Sequence, residues 1–208
     1  MKLYFSPGAC SLASHIALRE AGLPFDLVKV DLRAKKTADG GDYRQINPKG
    51  YVPALQFDNG EVLTEGPATL QYIADLKPEA KLAPPAGTME RYRLQEWLGF
   101  INSEVHKAYS ILFNPDTPED FKAATRARLG TRYAWIEQSL GSKPYLMGDS
   151  FSIADAYLYT TSTWAKRHAV DLSQWPAVKA LVERVAARPH VKEALLAEGI
   201  GANSPRAK

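Results

Sequence analysis

The sequence predicts a two-part chain, an α/β domain followed by an all-α domain. Three observations carry that reading. A strand, a helix and a second strand fit into about the first thirty residues, a hairpin signal stands at Asp58-Asn-Gly60, and beyond Thr88 the apolar residues recur only at helical spacing.

Lys2-Leu-Tyr-Phe5 reads as the first strand, closed by the turn formers Ser6-Pro-Gly8. The next segment is a helix: Leu12 and Ile16 lie four apart with Ala13 and Ala17 beside them, and Gly22-Leu-Pro24 supplies its stop. Phe25 to Val30 is the second strand. A strand–helix–strand unit this short normally makes its strands parallel neighbours. Val52 to Phe57 and Glu61 to Leu63 then flank an Asn-Gly pair, which favours a tight antiparallel turn. Glu65-Gly66-Pro67 opens another helix, whose buried stripe is Leu70, Ile73 and Ala74 and which ends before Pro78. This order, βαβ and then ββα, is the layout of a thioredoxin-like domain, placed at residues 1–80.

Lys77 to Thr88 holds three prolines and a glycine and reads as a linker. After it, Leu94, Leu98, Ile101, Val105, Ala108 and Leu112 step by 4, 3, 4, 3 and 4, the seam of one long helix. Thr117-Pro-Glu-Asp120 is a capping-type start for a helix carrying Phe121, Leu129, Tyr133, Ile136 and Leu140. Ser152-Ile-Ala-Asp155 is a second capping-type start, read as a folding element. Val178, Leu181, Val182 and Val185 mark a further helix closed by Arg188-Pro189. Residues 88–208 are therefore expected to form a helical bundle.

Composition narrows the function classes. Residues 1–80 hold 9 Lys and Arg against 10 Asp and Glu, and the remainder 17 against 13, which reproduces the net charge of +3. A surplus this small, without a dense basic block, is a poor footprint for nucleic acid. No run reaches the roughly 18 apolar residues of a membrane helix, so a cytoplasmic, non-membrane protein is expected. Cys10 is the single cysteine, which excludes an intramolecular disulfide and a thiolate-rich metal site.

The chemistry-bearing residues fall at element ends. Cys10 sits where the first loop meets the helix, and the helix N-terminus there is expected to favour a thiolate and depress its pKa. Position 13 is alanine, so a dithiol exchange pair is excluded. Val52-Pro53 begins a strand, where a cis peptide would leave the Val52 N–H and C=O open to an extended peptide ligand. Glu65 and Gly66, at a helix start, suit a ligand carrying both an anion and an ammonium. His106 lies one residue off the long helical seam, with Ser103 and Lys107 on neighbouring turns. His15, His168 and His190 lack such companions and read as structural.

Five motifs in order, Met1-Lys-Leu-Tyr-Phe-Ser-Pro-Gly-Ala-Cys-Ser-Leu12, Asn47-Pro-Lys-Gly-Tyr-Val-Pro53, Leu63-Thr-Glu-Gly66, Ser103-Glu-Val-His-Lys107 and Ser152-Ile-Ala-Asp-Ala-Tyr157, resemble the bacterial beta-class glutathione S-transferases. The match runs from Met1 to about Gly199. The resemblance implies the glutathione transferase fold, a homodimer, and glutathione as co-substrate with no metal. It implies that Cys10 lies by the glutathione sulfur, and that His106 hydrogen-bonds near that thiol. Val52 would pair with the glutathione backbone, with Ala9 and Pro53 beside it. Glu65 and Gly66 would hold its γ-glutamyl end, and Lys35 and Lys107 would neighbour its charged groups. Ser103 and Glu104 would reach the partner subunit's ligand. The helical domain would supply the pocket for a hydrophobic electrophile and the dimer contacts.

Two positions depart from the commoner pattern. Phe5 stands where a tyrosine is often found, which removes a phenol from glutathione activation, and Gly99 stands where relatives often carry asparagine. The expected activity is conjugation of the glutathione thiolate to electrophiles in detoxification, with disulfide exchange or reductive dehalogenation as related chemistries. The alternative is a glutathione-binding stress-response protein with little turnover.

Overall fold

The computed structural model describes residues 1–200. Contacts gather these into two units: Met1–Ala83 together with the segment from Ala187 onward, and Pro84–Ala186.

In the first unit β1 (Lys2–Phe5) pairs in parallel with β2 (Asp26–Asp31), across the helix α1 (Ser11–Glu20) that the apolar spacing predicts. A two-residue strand β3 (Lys36–Thr37) adds antiparallel to β2. It is too short to leave a period in the sequence. β4 (Ala54–Gln56) and β5 (Val62–Thr64) form the expected hairpin, and the sheet order is β3-β2-β1-β4-β5. The hairpin loop has three residues: the Gly60 N–H reaches Phe57 O at 3.0 Å, and Phe57 N–H reaches Glu61 O at 2.9 Å. Only Gly60 of the pair has positive φ, +87°, so the turn closes with a left-handed glycine, not the two left-handed residues of the tightest Asn-Gly turn.

α2 (Gly66–Leu76) buries Thr69, Leu70, Ile73 and Ala74. α1 packs against α2 and against α8 (Pro189–Glu198), a helix the sequence reading did not resolve beyond its Arg188-Pro189 boundary. α8 belongs by its contacts with the first unit, although the sequence placed it in the helical half. The reason is a set of polar pairings that periodicity does not reveal. Arg188 Nε and Nη2 bind the two Glu20 oxygens at 2.6 and 2.7 Å, and Glu198 Oε1 meets His15 Nδ1 at 2.9 Å with neither side chain exposed.

In the second unit the seam Leu94, Leu98, Ile101, Val105, Ala108 and Leu112 is buried as predicted. The helix carrying it is not uniform. α3 (Met89–Phe100) passes into a π-helical stretch, Ile101–His106, and then into α4 (Lys107–Phe113). The Lys107 N–H bonds to Asn102 O, five residues back, which widens the turn. α5 (Glu119–Leu140) buries Thr125, Leu129, Tyr133, Ile136 and Leu140. Phe121 does not join them and is 54% exposed. Thr117 does not cap α5 either: its hydroxyl donates to Ile111 O at 3.0 Å, and Glu119 and Asp120 in the first turn face the helix dipole instead.

α6 (Ile153–Ser162) is buried along its whole length. Asp155 secures its start by accepting from Ser152 N and Ser152 Oγ, both at 2.8 Å, and from Leu146 N at 2.8 Å. α7 (Pro176–Ala186) buries Val178, Leu181 and Val185, and its first N–H groups, from Ala177 and Val178, donate to the Glu137 carboxylate of α5 at 3.0 and 2.9 Å. No helix among the described residues is long and apolar enough to cross a membrane.

Asp155 leaves two buried backbone donors unpaired when it is truncated, so Asp155→Ala should cost about 3 kcal/mol. A thermal scan should record a fall in Tm of about 10 °C for a chain of this size. A change of under about 2 °C would show that Asp155 is not what holds the start of α6.

Candidate active site

The loop Ser6–Cys10 joins β1 to α1 and is fixed at both ends. Ala9 N–H reaches Ser6 O at 3.0 Å, and Gly8 N–H donates to Glu198 Oε2 at 2.9 Å. Ala9 packs on a cluster of Tyr4, Val30, Tyr43, Val52 and Ala54, which sets the loop beside the Val52-Pro53 turn. The Val52-Pro53 peptide is cis, as the sequence reading anticipated.

Cys10 Sγ donates to Val52 O at 3.0 Å. Two expectations are corrected here. The Val52 carbonyl is occupied by the thiol and is not left open. The thiol pKa is not depressed: burial pushes it up to about 12, Glu65 adds to the rise, and the N–H groups of Cys10 and Ser11 offset only part of it. Desolvation outweighs the helix dipole because an anion at this sulfur would lose water and repel the Val52 carbonyl. The Val52 N–H, in contrast, finds no acceptor among the described residues.

Tyr4 gives no support to a replacement for the phenol absent at Phe5. It is buried, and its hydroxyl donates to Gln56 Oε1 at 2.9 Å. Lys35 has φ +56° and donates from Nζ to Gly50 O at 2.9 Å, with Tyr51's ring 5.5 Å from the ammonium. Gly50 is required in that contact: its φ is +67°, and a Cβ there would meet Lys35 Cδ at 3.1 Å.

Glu65 precedes α2 with φ +71° and ψ +122°, a conformation that side chains rarely adopt and that the surrounding fold must impose. Its carboxylate accepts from Lys49 Nζ at 2.5 Å, and Lys49 also reaches Thr64 Oγ1 at 2.8 Å. Its carbonyl accepts from the Ala68 and Thr69 N–H groups, at 3.1 and 2.9 Å. The side chain is thus held outside the helix turn as a carboxylate already matched to an ammonium. Lys49 is a site neighbour the sequence reading missed, although it lies inside the quoted Asn47–Pro53 motif.

The second unit holds the other candidates on and beside the π-helical stretch. Ser103 Oγ donates to Gly99 O at 3.0 Å, and a Cβ at Gly99 would meet nothing within 4 Å. Glu104 accepts from Arg132 Nε at 2.7 Å and from Arg128 Nη2 at 3.0 Å, bonds that hold its carboxyl below the usual carboxylate range. Lys107 is exposed. His106 Nδ1 lies 2.7 Å from Tyr157 Oη, which donates to Asn102 Oδ1 at 2.9 Å. The His106 ring also stands 5.2 Å from that of Trp164, while Tyr109 and Phe113 pack on the same indole at 5.6 and 5.3 Å. Asn102, Tyr157 and Trp164 were missed because their relation to His106 depends on the widened turn and on α6.

The family model described as "Glutathione S-transferase, N-terminal domain" matches residues 8–76, and that described as "Glutathione S-transferase, C-terminal domain" matches residues 100–189. The chain belongs to the glutathione S-transferase family. It is 46% identical over 200 residues to glutathione S-transferase GstA of Escherichia coli O157:H7, covering 96% of this chain and 100% of that one. Two solved structures give the same picture. A sphingomonad glutathione S-transferase complexed with glutathione is 47% identical, with a TM-score of 0.93, covering 97% of this chain and 100% of its own. A bacterial beta-class glutathione S-transferase from Sphingomonas chungbukensis is 48% identical, with a TM-score of 0.93, covering 96% and 100%. The fold and family anticipated from the five motifs are therefore those the chain has. Among the described residues of this glutathione S-transferase, no group of three or more His, Cys, Asp or Glu side chains is placed to hold a metal.

The raised Cys10 pKa fixes the sign of a titration. The neutral thiol persists as pH rises, so alkylation by iodoacetamide in the ligand-free protein should stay slow through neutrality and keep accelerating above the ordinary thiol pKa of about 8.5. An inflection at or below pH 8 would mean that the helix terminus outweighs desolvation.

Proposed function

We propose that this chain conjugates the thiolate of glutathione to hydrophobic electrophiles, as a cytoplasmic detoxification enzyme. The observation that carries the reading is the Val52 N–H: in a member of this family, a buried residue beside the Cys10 loop presents a backbone donor with no internal acceptor. A peptide-like ligand laid along that segment supplies the missing carbonyl. Residues 1–80 would bind glutathione through Ala9, Lys35, Val52, Pro53, Glu65 and Gly66, with the ligand's ammonium taking the place of Lys49 on Glu65. The helical part would supply the electrophile pocket, with Ser103, Glu104 and Lys107 serving glutathione from the long helix.

The roles of Cys10 and His106 follow from their chemistry. A neutral Cys10 thiol that turns from Val52 O to a bound ligand is a hydrogen-bond donor, suited to stabilising the glutathione thiolate more than to attacking a disulfide, which needs the anion. This supports conjugation ahead of disulfide exchange. His106 would accept the proton that glutathione loses.

Binding and turnover are separable. Glutathione at a hundredfold excess over Kd should stabilise the fold by about 2.7 kcal/mol, read as a rise in Tm, and a chlorinated aromatic electrophile should be consumed only when glutathione is present. No thermal shift would remove the binding site. A shift without turnover on an electrophile panel would leave the glutathione-binding stress-response protein instead.

The family resemblance also supports a homodimer, in which Ser103 and Glu104 serve the partner's ligand. Sedimentation at micromolar concentration should give a single species of twice the 23.0 kDa chain mass. A 23.0 kDa species would confine each site to its own chain.

A further inference from the structure

Tyr157 lies in the middle of α6 and is 1% exposed. Its hydroxyl sits between two residues of the π-helical stretch, donating to Asn102 Oδ1 at 2.9 Å and standing 2.7 Å from His106 Nδ1. A phenol carries one proton, and a carboxamide oxygen can only accept. With that proton committed to Asn102, Tyr157 Oη meets Nδ1 as an acceptor, so Nδ1 must carry the hydrogen. In the neutral ring the lone pair is then on Nε2.

Packing holds the ring in that pose. Tyr157 and His106 meet edge to face, with centroids 5.8 Å apart and planes at 86°, and Trp164 lies 5.2 Å away on the same ring. The π-helical turn makes the geometry possible. Asn102 and His106 are four residues apart in the widened stretch, and both reach the same hydroxyl.

We propose that Tyr157, backed by Asn102, is a positioning residue that fixes His106 in its Nδ1–H tautomer and so makes Nε2 the nitrogen that receives a proton. This rests on the reading in which His106 assists the glutathione thiol. An unconstrained imidazole favours the other tautomer, with the hydrogen on Nε2. The hydroxyl therefore holds the ring in the form that solution disfavours, and with Nε2 protonated the neutral ring has no basic atom there.

The test uses the full-length, 15N-labelled chain and long-range 1H–15N correlations of the imidazole, which distinguish the two tautomers. The wild type should show the Nδ1–H form. Tyr157→Phe keeps the buried ring and removes the acceptor, so His106 should move toward Nε2–H. Asn102→Ala, at an exposed position, leaves the core intact and frees the phenol to donate to Nδ1, which should likewise give Nε2–H. Asn102→Asp keeps an acceptor and should restore the wild-type spectrum.

Conjugation kinetics give a second readout. Tyr157→Phe should lower kcat by about tenfold to a hundredfold, with the KM for glutathione within about twofold of wild type. Tyr157→Phe combined with His106→Ala should fall no further than His106→Ala alone. A wild-type ring in the Nε2–H form, an unchanged tautomer in Tyr157→Phe, or an additive double variant would each overturn the proposal. A His106→Ala variant as fast as wild type would instead remove the role of His106 in turnover, while the spectra would still decide what Tyr157 does to its ring.

Discussion

The first unit depends on one buried carboxylate. Glu198, at the end of the last helix, gives one oxygen to His15 Nδ1 and the other to the Gly8 N–H, both at 2.9 Å. His15 Nε2 in turn accepts from Arg19 Nε at 2.9 Å, so the ring donates to the carboxylate and keeps no lone pair idle. An ion of this kind is tolerable inside a protein only when every oxygen is matched, and removing one partner of such a pair commonly costs about 3–5 kcal/mol. Residues 190 positions apart thereby close on the loop that carries Cys10. His15 is structural, as its sequence context implied, and what it helps to hold is the loop that carries Cys10.

The same principle of matched polar groups runs through the helical unit. Asp155 satisfies the start of α6, and Glu137 satisfies the first donors of α7. The Val52 N–H, in contrast, finds no acceptor among the described residues. An open backbone donor on a buried residue is the group that a peptide-like ligand would satisfy. Cys10 follows from this arrangement as well. Its single S–H is spent on the Val52 carbonyl, and desolvation keeps that proton on.

Much of the fold was legible because it rests on local periodicity. The parallel β1–β2 pair, the hairpin and the seam from Leu94 to Leu112 follow from alternation, turn residues and helical spacing. What was not legible has particular causes. β3 is two residues long, and Phe121 keeps the helical spacing of its stripe while facing water at the first turn of α5. The Cys10 pKa shifts opposite to the expectation, since a sequence displays the helix N-terminus and not the desolvation opposing it.

The sequence by itself determined the fold class and the family, and it singled out the candidate site residues, because motifs, chain spacing and a single cysteine are one-dimensional facts. Tertiary structure decided how those residues behave. The π-helical turn has no signature in the apolar pattern, yet it brings Asn102 and His106 to one phenol supplied by Tyr157, 51 positions beyond the histidine. Protonation state and tautomer are set by which donors and acceptors surround an atom and how much water reaches it. Those neighbours come from distant parts of the chain, so only the folded arrangement fixes them.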